Sequence, residues 1–384
     1  MATNPLLSLA KLGQSVWLDN IERGMLQSGE LARLIRDDGL KGITSNPTIF
    51  QKAITGSQIY SDAIAKLIQG GKRYSARDLF YQLAIEDIQA AADALLPVYT
   101  QSNGTDGMVS IEVSPELAYD TEGTVKEARY LHQRVDRPNA MIKVPATAAG
   151  LPAIETLIAD GISINVTLLF SVTRYREVVE AYLHGLETRA KQNRDIRNIA
   201  SVASFFISRV DNSVDKMLQD LAGAASPTQQ LQLKAMQGKT AIANAKRAYA
   251  LYKEAFFTPR FEKLRKAGAQ SQRLLWASTG TKNPAFSDVL YVDSLIGTDT
   301  VNTVPPATYK AFKEHGTAAS TLELGLPEAE QHLAALETLQ IDMKQVTDQL
   351  EKDGVKLFAD SFNELLNAID VKLKTLLPKV SAAG

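Results

Sequence analysis

A lysine that interrupts an apolar strand is the residue of this sequence with the clearest chemical potential. The segment 141–147 reads Met-Ile-Lys-Val-Pro-Ala-Thr, a short β-branched strand with Lys143 near its middle and a proline at its end. A strand that is apolar on both faces belongs inside a parallel sheet. A lysine there either reaches water along its aliphatic stem or serves as a reactive amine. Taken alone, a surface lysine on an edge strand is the simpler explanation, so the other strands decide.

Polar side chains recur late in those other strands. Side chains alternate across a strand with a period of two, so Asn165 and Thr167 share one face of the strand 162–167. Glu112 takes the corresponding place in the strand 109–114, and Thr44 and Asn46 share a face of a third strand. The residues that would gather at one end of the sheet are Asp19, Asn46, Glu112, Lys143, Asn165, Thr167 and Ser204.

Each of these residues also has a structural explanation. Asp19 can cap a following helix, Asn46 before a proline is a frequent turn residue, and the hydroxyls can be ordinary strand ends. Glu112 and Asn165 are harder to explain in this way, because each lies between apolar neighbours and needs buried partners. Their recurrence on successive strands favours a site.

Eight predicted strands alternate with helical segments along the chain. The strands are predicted at 15–19, 42–46, 108–113, 141–144, 162–167, 199–204, 273–278 and 300–304. Such alternation is typical of parallel βα units, and eight strands close a (β/α)8 TIM barrel, with a doubly wound open sheet as the alternative. In a barrel the late polar residues meet at the carboxyl ends of the strands, where barrel active sites lie.

The helical segments define the domain organisation. Helices are predicted at 21–38, 57–69, 76–99, 122–135, 147–160, 173–191 and 211–266, the last with a break near Ser226-Pro227, and Gly39 and Gly161 should end two of them. We expect residues 1–384 to form one barrel domain with additional N-terminal and C-terminal helices. Residues 306–384 would be a mostly helical extension, packed on the bottom or the sides of the barrel.

Composition and motifs exclude several classes of function. The 384 residues are 45% hydrophobic and 22% charged with a net charge of -1, so no global field favours nucleic acid or membrane partners. The absence of cysteine excludes disulfides and thiolate chemistry and fits a cytoplasmic location, as does the lack of a signal-peptide pattern.

Zinc, P-loop, dinucleotide and nucleophile-elbow motifs are missing, and the four histidines fall in helices or loops. An amine with carboxylates, hydroxyls and amides remains. A desolvated lysine can form a Schiff base with a ketone, and a nearby carboxylate can move protons. This is the equipment of a carbon–carbon lyase or transferase that needs no cofactor.

At these residues the sequence resembles the transaldolase family. The segments that carry the resemblance are WLDNIERG (17–24), GITSNPTIF (42–50), VSIEVSPELAYDTEGT (109–124), RPNAMIKVPAT (137–147), GISINVTLLFS (161–171), SVASFFISRVD (201–211) and LLWASTGTKNP (274–284). The resemblance spans the first strand through the eighth, and the length suits the longer bacterial branch of the family.

The resemblance implies four catalytic roles. Lys143 would form the Schiff base with a donor ketose. Glu112 and Thr167 would hold a water molecule that moves protons to and from the iminium intermediate. Asp19 would take the hydroxyl proton that triggers carbon–carbon cleavage and would return it on transfer.

The resemblance also implies binding roles. Asn46 and Asn165 would bind the hydroxyls of a dihydroxyacetone unit, and Ser204 would line the pocket. Arg209 and Ser278 would bind the sugar phosphate. Many family members carry a second arginine just after this serine, and here Lys282 is assigned to its place.

The implied reaction transfers dihydroxyacetone from sedoheptulose 7-phosphate to glyceraldehyde 3-phosphate, giving erythrose 4-phosphate and fructose 6-phosphate. Phosphorylated sugars would be the partners of a monomer or homodimer. One alternative is a fructose-6-phosphate-type aldolase that releases free dihydroxyacetone, although Glu112 and Phe206 stand where those aldolases often carry glutamine and tyrosine. The other alternative is a non-catalytic barrel used for binding or scaffolding.

Overall fold

Eight parallel strands close into a barrel in the computed structural model, which describes residues 4–69 and 73–381. The strands are β1 (Gln14–Leu18), β2 (Gly42–Ile43), β3 (Met108–Glu112), β4 (Ala140–Pro145), β5 (Ile164–Leu169), β6 (Ser201–Phe206), β7 (Arg273–Ala277) and β8 (Thr300–Val304). Each strand pairs in parallel with the next one along the chain, and β8 pairs with β1. The predicted TIM barrel is therefore confirmed, and the open sheet is excluded.

Helices precede, connect and follow the strands. They are α1 (Pro5–Lys11), α2 (Arg23–Gln27), α3 (Glu30–Asp38), α4 (Pro47–Gly56), α5 (Gln58–Gln69), α6 (Ala76–Gln101), α7 (Thr121–Val135), α8 (Gly150–Asp160), α9 (Val172–Lys191), α10 (Ser208–Ala222), α11 (Pro227–Met236), α12 (Thr240–Phe256), α13 (Pro259–Lys266), α14 (Leu290–Ser294), α15 (Pro306–His315), α16 (Leu326–Thr338) and α17 (Met343–Ser381). None of the helices in the described part of the chain is apolar over a stretch long enough to cross a bilayer.

Turn residues explain where predicted and observed helices agree and differ. Gly39 and Gly161 end α3 and α8 in the left-handed conformation, as expected. The predicted helix 21–38 is two helices, because Gly29 at φ +79° breaks the chain between them. The long helical region 211–266 is four helices, and a capping box at Ser226 starts α11 at the predicted break.

The second strand is shorter than predicted. We expected 42–46 to be extended, yet β2 ends at Ile43. The Asn46 side chain accepts a hydrogen bond from the Ile49 N–H at 2.9 Å and starts α4 at Pro47, a helix that the sequence pattern did not reveal. The chain therefore leaves the sheet after Ile43, and the backbone carbonyl of Ser45 accepts a hydrogen bond from Lys143 Nζ at 3.0 Å.

A backbone irregularity lies in β5. The register between β5 and β6 shifts between Val166 and Leu169, and Leu168 has a φ of +56°, which is uncommon for a side chain of this size. Bulges of this kind bend a strand and redirect its side chains, and they are frequent beside active sites. β5 also runs two residues beyond the predicted strand 162–167.

The C-terminal helix α17 crosses the end of the barrel at which the strands terminate. Thr48 Oγ1 on α4 donates to Ser361 Oγ at 2.9 Å, and the ring of Phe362 meets Phe80 on α6 at 5.4 Å between centroids. Lys372 Nζ donates to the Ile54 carbonyl at 2.9 Å. The expectation that the extension covers the bottom or the sides is therefore wrong for this helix.

From these contacts we infer that the C-terminal extension belongs to the same domain as the barrel. Residues 1–3, 70–72 and 382–384 of the predicted domain lie outside the described residues.

The opposite end of the barrel is closed by a network around Asp106. This carboxylate accepts hydrogen bonds from Ser15 Oγ at 2.7 Å, from Trp17 Nε1 at 3.2 Å and from Arg273 Nη2 at 3.1 Å. Trp17 is completely buried inside the barrel, and a Cβ on Gly42 would lie 2.5 Å from its ring. The missing side chain of Gly42 thus makes room for the indole that fills the barrel floor.

We predict that Gly42→Ala lowers the free energy of unfolding by about 1–3 kcal/mol, because the new methyl group forces the indole or the β2 backbone to move. Gly56→Ala is the matched control, since no atom lies within 4 Å of its added Cβ. Denaturant titration of both variants measures the difference. Equal stability of the two variants would show that the floor of the barrel tolerates the added volume.

Candidate active site

A cavity of about 490 Å³ opens at the carboxyl ends of the strands, beneath α17. Eight candidate residues line it: Asp19, Asn46, Lys143, Thr167, Ser204, Arg209, Ser278 and Lys282. The remaining two, Glu112 and Asn165, lie buried beneath its floor in contact with Lys143 and Ser204. The structure thus brings all ten sequence-predicted residues together.

Strand register explains why the central three residues are neighbours. Glu112 on β3 pairs with Lys143 on β4, and Lys143 pairs with Asn165 on β5. Paired residues in parallel strands project to the same side of the sheet, so the three side chains form a row inside the barrel. Each was singled out in the sequence as a polar interruption of an apolar strand.

The Lys143 amine is held inside the protein and not in bulk solvent. The residue is 4% exposed, its Nζ donates to the Ser45 carbonyl at 3.0 Å, and it lies 3.3 Å from Glu112 Oε2. The Ser45 carbonyl is available because β2 ends at Ile43. The Ser45 side-chain hydroxyl donates to the Ser110 carbonyl at 2.7 Å. A fixed acceptor and a carboxylate therefore hold the amine at the cavity floor.

Glu112 is an ion-pair partner with spare hydrogen-bonding capacity. Burial raises the pKa of its carboxyl, and the positive charge of Lys143 opposes that rise. Oε2 makes no hydrogen bond with the described residues, because its 3.3 Å contact with Lys143 has the distance of an ion pair without hydrogen-bond geometry. Within the same described ranges, Thr167 Oγ1 is also buried without a partner.

Asp19 lies directly after β1 at the end of a chain of hydroxyls. Thr44 Oγ1 donates to Asp19 Oδ1 at 2.7 Å and lies 2.6 Å from Thr303 Oγ1. A hydroxyl has one proton, so the Thr303 hydroxyl donates to Thr44 and the Thr44 hydroxyl to Asp19. Burial raises the pKa of Asp19, while Lys143 and the Thr44 hydrogen bond act to lower it. Asp19 is not the helix cap that its position allowed, since α2 begins at Arg23 and its N-cap residue is Glu22.

The two asparagines have different environments. Asn46 serves as the cap of α4 through its carbonyl oxygen, which leaves its amide donors directed to other partners. Asn165 donates to Ser110 Oγ at 3.0 Å and accepts from Ser204 Oγ at 2.6 Å, so its amide is fixed in the barrel interior. The structural and the site explanations of Asn46 thus apply together.

Cationic side chains other than Lys143 also line the cavity. Arg209, in the first turn of α10, has no carboxylate within ion-pair distance among residues 4–69 and 73–381. Burial lowers the pKa of its guanidinium, and the charges of Asp19 and Glu112 oppose this effect. Ser278 follows β7 at φ +57° with its Oγ 2.9 Å from Ser208 Oγ, and Lys282 reaches the cavity from an exposed loop.

Sequence reasoning gave no role to several groups of this site. Thr44 was placed on the same face as Asn46 but received no function. Thr303 lies late in β8, and the alternation of side chains along that strand could have indicated that it faces the barrel interior. The Ser45 carbonyl and Phe358 on α17 had no sequence signal, because each depends on how distant segments pack.

The arrangement suits covalent chemistry on a polar, anionic substrate. A buried amine with two carboxylates can form and hydrolyse an iminium, and the Arg209 guanidinium, which has no ion-pair partner among the described residues, can hold an anion in the same cavity. No group of three or more potential metal-ligating side chains occurs in the described portion of the chain. His132, His184, His315 and His332 all lie in helices and outside this cavity.

A neighbouring cavity of about 360 Å³ offers less. It lies among α9, α12, α16 and α17, and its Arg174 is already paired, at 3.8 Å from Glu351 and 2.5 Å from Glu177. Its one lining lysine, Lys344, is exposed and paired with Asp348 on the surface, in contrast to the buried Lys143.

Comparison with known proteins places this geometry in context. A model of the transaldolase/fructose-6-phosphate aldolase family matches residues 16–369. The chain is 47% identical over 382 residues to transaldolase 2 of Nostoc sp., which covers 98% of this chain and 100% of that relative. It is 45% identical over 381 residues to the transaldolase of Trichodesmium erythraeum, covering 98% and 100%. It is 47% identical over 361 residues to the transaldolase of Neisseria gonorrhoeae, covering 94% and 98%.

We predict that Lys143→Met destabilises the fold by roughly 3 kcal/mol at pH 8, because it leaves the buried Glu112 carboxylate without its counter-charge. Loss of the lysine removes a charge that lowers the pKa of Glu112, so this pKa rises further above its unfolded value. The folded variant then binds a proton more tightly than the unfolded chain, and its stability relative to the parent increases as the pH falls.

Denaturant unfolding of parent, Lys143→Met and the double variant Lys143→Met/Glu112→Gln between pH 8 and pH 5 tests this coupling. The double variant should lack the added pH dependence, because glutamine does not titrate. A stability difference between Lys143→Met and parent that stays constant with pH would show that the two groups are not coupled.

Proposed function

The chain belongs to the transaldolase/fructose-6-phosphate aldolase family and is a transaldolase, and we propose how its own residues perform the transfer. The donor is sedoheptulose 7-phosphate and the acceptor glyceraldehyde 3-phosphate. The products are erythrose 4-phosphate and fructose 6-phosphate, and no cofactor takes part.

Lys143 is the nucleophile in this proposal. Its amine adds to the ketose carbonyl, and loss of water gives an iminium that withdraws electrons from the adjacent carbon–carbon bond. The lysine must lose a proton before it attacks, and Glu112 at 3.3 Å is the nearest carboxylate to accept it. The raised pKa of Glu112 supports that role, because it makes the carboxylate a better proton acceptor.

Asp19 is the general base for bond cleavage. It removes the proton from the hydroxyl on the carbon beyond the scissile bond, so the aldose leaves as an aldehyde and the bonding electrons move into an enamine on Lys143. The enamine then attacks the acceptor aldehyde, and Asp19 returns the proton to the new hydroxyl. Hydrolysis of the iminium frees the amine and completes the balance of atoms.

Glu112 and Thr167 hold the water that enters and leaves with the iminium. Both side chains present buried oxygens without hydrogen-bond partners in the described part of the chain. A buried water typically makes two to four hydrogen bonds to such groups, so this pair supports the assignment.

Asn46, Asn165 and Ser204 bind the dihydroxyacetone unit. Asn46 lines the cavity, and its amide nitrogen is the group that donates to the substrate, because the helix cap uses its carbonyl oxygen. Ser204 Oγ donates to Asn165 Oδ1 at 2.6 Å, and this hydrogen bond keeps the wall behind the substrate rigid.

Arg209, Ser278 and Lys282 bind the phosphate at the far end. An arginine presents a planar fork of donors that matches a phosphate, whereas Lys282 supplies a single mobile charge. All three line the same cavity as Lys143. A substrate that occupies this cavity can therefore bond to Lys143 through its carbonyl carbon while these residues bind its phosphate.

One observation carries the proposal: a buried amine, 3.3 Å from a buried carboxylate, shares a cavity with Asp19 and with an arginine that has no ion-pair partner among the described residues. The aldolase alternative shares this amine. It would require free dihydroxyacetone to leave faster than the acceptor enters, and the wall residue Phe206 presents a ring without a hydroxyl to assist that release. The monomer or homodimer state and the cytoplasmic location stay predictions.

We predict that sodium borohydride traps a covalent adduct with fructose 6-phosphate in the parent and that Lys143→Met forms none, because reduction of the iminium on Lys143 gives a secondary amine that cannot hydrolyse. Peptide mass analysis should place the adduct on the peptide that contains residue 143. Circular dichroism of the variant controls for loss of fold.

The same preparation separates the two reactions. Transfer predicts product formation only with an aldehyde acceptor and little free dihydroxyacetone without one. An adduct on another lysine would refute the assignment of Lys143, and release of dihydroxyacetone at the transfer rate would favour the aldolase.

We predict that Thr44→Val moves the acid limb of the kcat/KM profile to higher pH. The Thr44 hydroxyl stabilises the Asp19 carboxylate and lowers its pKa, so its removal raises that pKa and protonates the base earlier as the pH falls. Thr44→Ser keeps the hydroxyl and should keep the parental limb. Superimposable profiles for Thr44→Val and Thr44→Ser would mean that Asp19 does not set the acid limb.

A further inference from the structure

Arg209 is held by aromatic rings. Its guanidinium carbon lies over the ring of Phe206 at 5.1 Å from the centroid and over the ring of Phe358 at 5.8 Å. No carboxylate of the described residues forms an ion pair with it. Arg260 shows the opposite arrangement, since Glu180 and Glu187 hold its guanidinium at 2.6 and 2.7 Å.

This difference matters for what the guanidinium can bind. The donors of an arginine lie in the plane of the guanidinium, whereas an aromatic ring attracts the cation through its face. Rings therefore restrict the side chain without occupying its N–H groups, and a carboxylate partner would occupy them. An arginine placed in this way keeps its planar fork available for a phosphate.

The two rings come from distant parts of the chain. Phe206 is the last residue of β6 and is itself packed against Phe170 at 5.1 Å, so the barrel fixes its position. Phe358 belongs to α17, which is anchored by the hydrogen bond between Thr48 and Ser361. Its place over Arg209 therefore depends on how the C-terminal helix docks.

The helix approaches the site closely at Gly354. A Cβ at this position would lie 2.9 Å from Leu168 Cδ2 and 3.5 Å from Arg209 Nη1. The glycine thus lets α17 pack directly on the bulged residue of β5 and beside the guanidinium. One turn later, Phe358 and the half-exposed Leu357 line the cavity from above.

We propose that Phe358 is a positioning residue, which orients the guanidinium of Arg209 towards the cavity and so makes the C-terminal helix an element of the preference for phosphorylated over unphosphorylated aldehydes. This inference rests on the phosphate role of Arg209 in the proposed function. It assigns to the helical extension a part in substrate choice and not only in covering the barrel.

The test compares glyceraldehyde 3-phosphate with glyceraldehyde as acceptors at saturating fructose 6-phosphate. We expect Phe358→Leu to lower the ratio of the two kcat/KM values about 3- to 10-fold, through a higher KM for the phosphorylated acceptor and with kcat changed less than two-fold. Phe358→Tyr keeps a ring and should keep the parental ratio. The inhibition constant of inorganic phosphate should rise in Phe358→Leu by a similar factor.

Two further variants interpret the result. Arg209→Ala should lower the ratio more than Phe358→Leu does, and Val371→Ala, an exposed position on the same helix, should leave it unchanged. A lowered ratio in Arg209→Ala with a parental ratio in Phe358→Leu would overturn the role of Phe358 and leave the phosphate site in place. A parental ratio in Arg209→Ala would overturn the phosphate site and, with it, this inference.

Thermal unfolding of each variant is measured first, because Phe358 is buried. If Phe358→Leu does not fold, Phe358→Met replaces it, since methionine fills a similar volume without a ring. An equal loss of kcat/KM for both acceptors in either variant would also overturn the proposal. Such a loss would mean that the substitution loosens the packing of α17 without affecting the preference for the phosphorylated acceptor.

Discussion

The structure depends on keeping one amine out of water while still giving it partners. A buried ammonium is costly unless it is paired and hydrogen-bonded. Lys143 meets both conditions, with Glu112 at 3.3 Å and the Ser45 carbonyl at 3.0 Å. The first partner requires β3 and β4 to be in register, and the second requires β2 to end early. The register of β3 and β4 and the early end of β2 together provide the two partners of Lys143 Nζ.

The carboxylates around the amine are set apart by their environments. Glu112 lies beneath the cavity floor against the lysine, while Asp19 faces the cavity and receives a hydrogen bond from the Thr44 hydroxyl. Burial raises the pKa of both groups, and Lys143 opposes the rise in each. Two acids with different contacts can take different proton-transfer steps in one cavity, which a reaction with both iminium formation and carbon–carbon cleavage requires.

The extension beyond the barrel takes part in the site. The helix α15 after β8 completes the eighth βα unit, and α17 then returns over the mouth and brings Phe358 to Arg209. The anchoring contacts lie on α4 and α6, so the position of α17 is tied to the helix α4, whose N-cap residue is Asn46. The surroundings of Arg209 are thus assembled from the barrel wall and the far end of the chain.

Much of the fold and site could be predicted from the sequence. The period of two in each strand indicated which face of β3, β4 and β5 carries Glu112, Lys143 and Asn165, because alternation is a local property of an extended chain. The count of βα units indicated a closed barrel, which the structure confirms. The family motifs indicated the reaction and also Arg209 and Ser278, which no period could have identified.

Tertiary structure decided the rest. The early end of β2, the bulge of β5 at Leu168 and the docking of α17 all depend on contacts between segments far apart in the chain. Local patterns carry no information on such packing, so the extension was expected at the bottom or the sides, whereas its helix α17 lies over the mouth. The sequence by itself determined which side chains face inward, because that depends on strand periodicity. Only the closed barrel and the position of α17 decided which side chains contact one another, because distances across the cavity depend on strand register and helix packing.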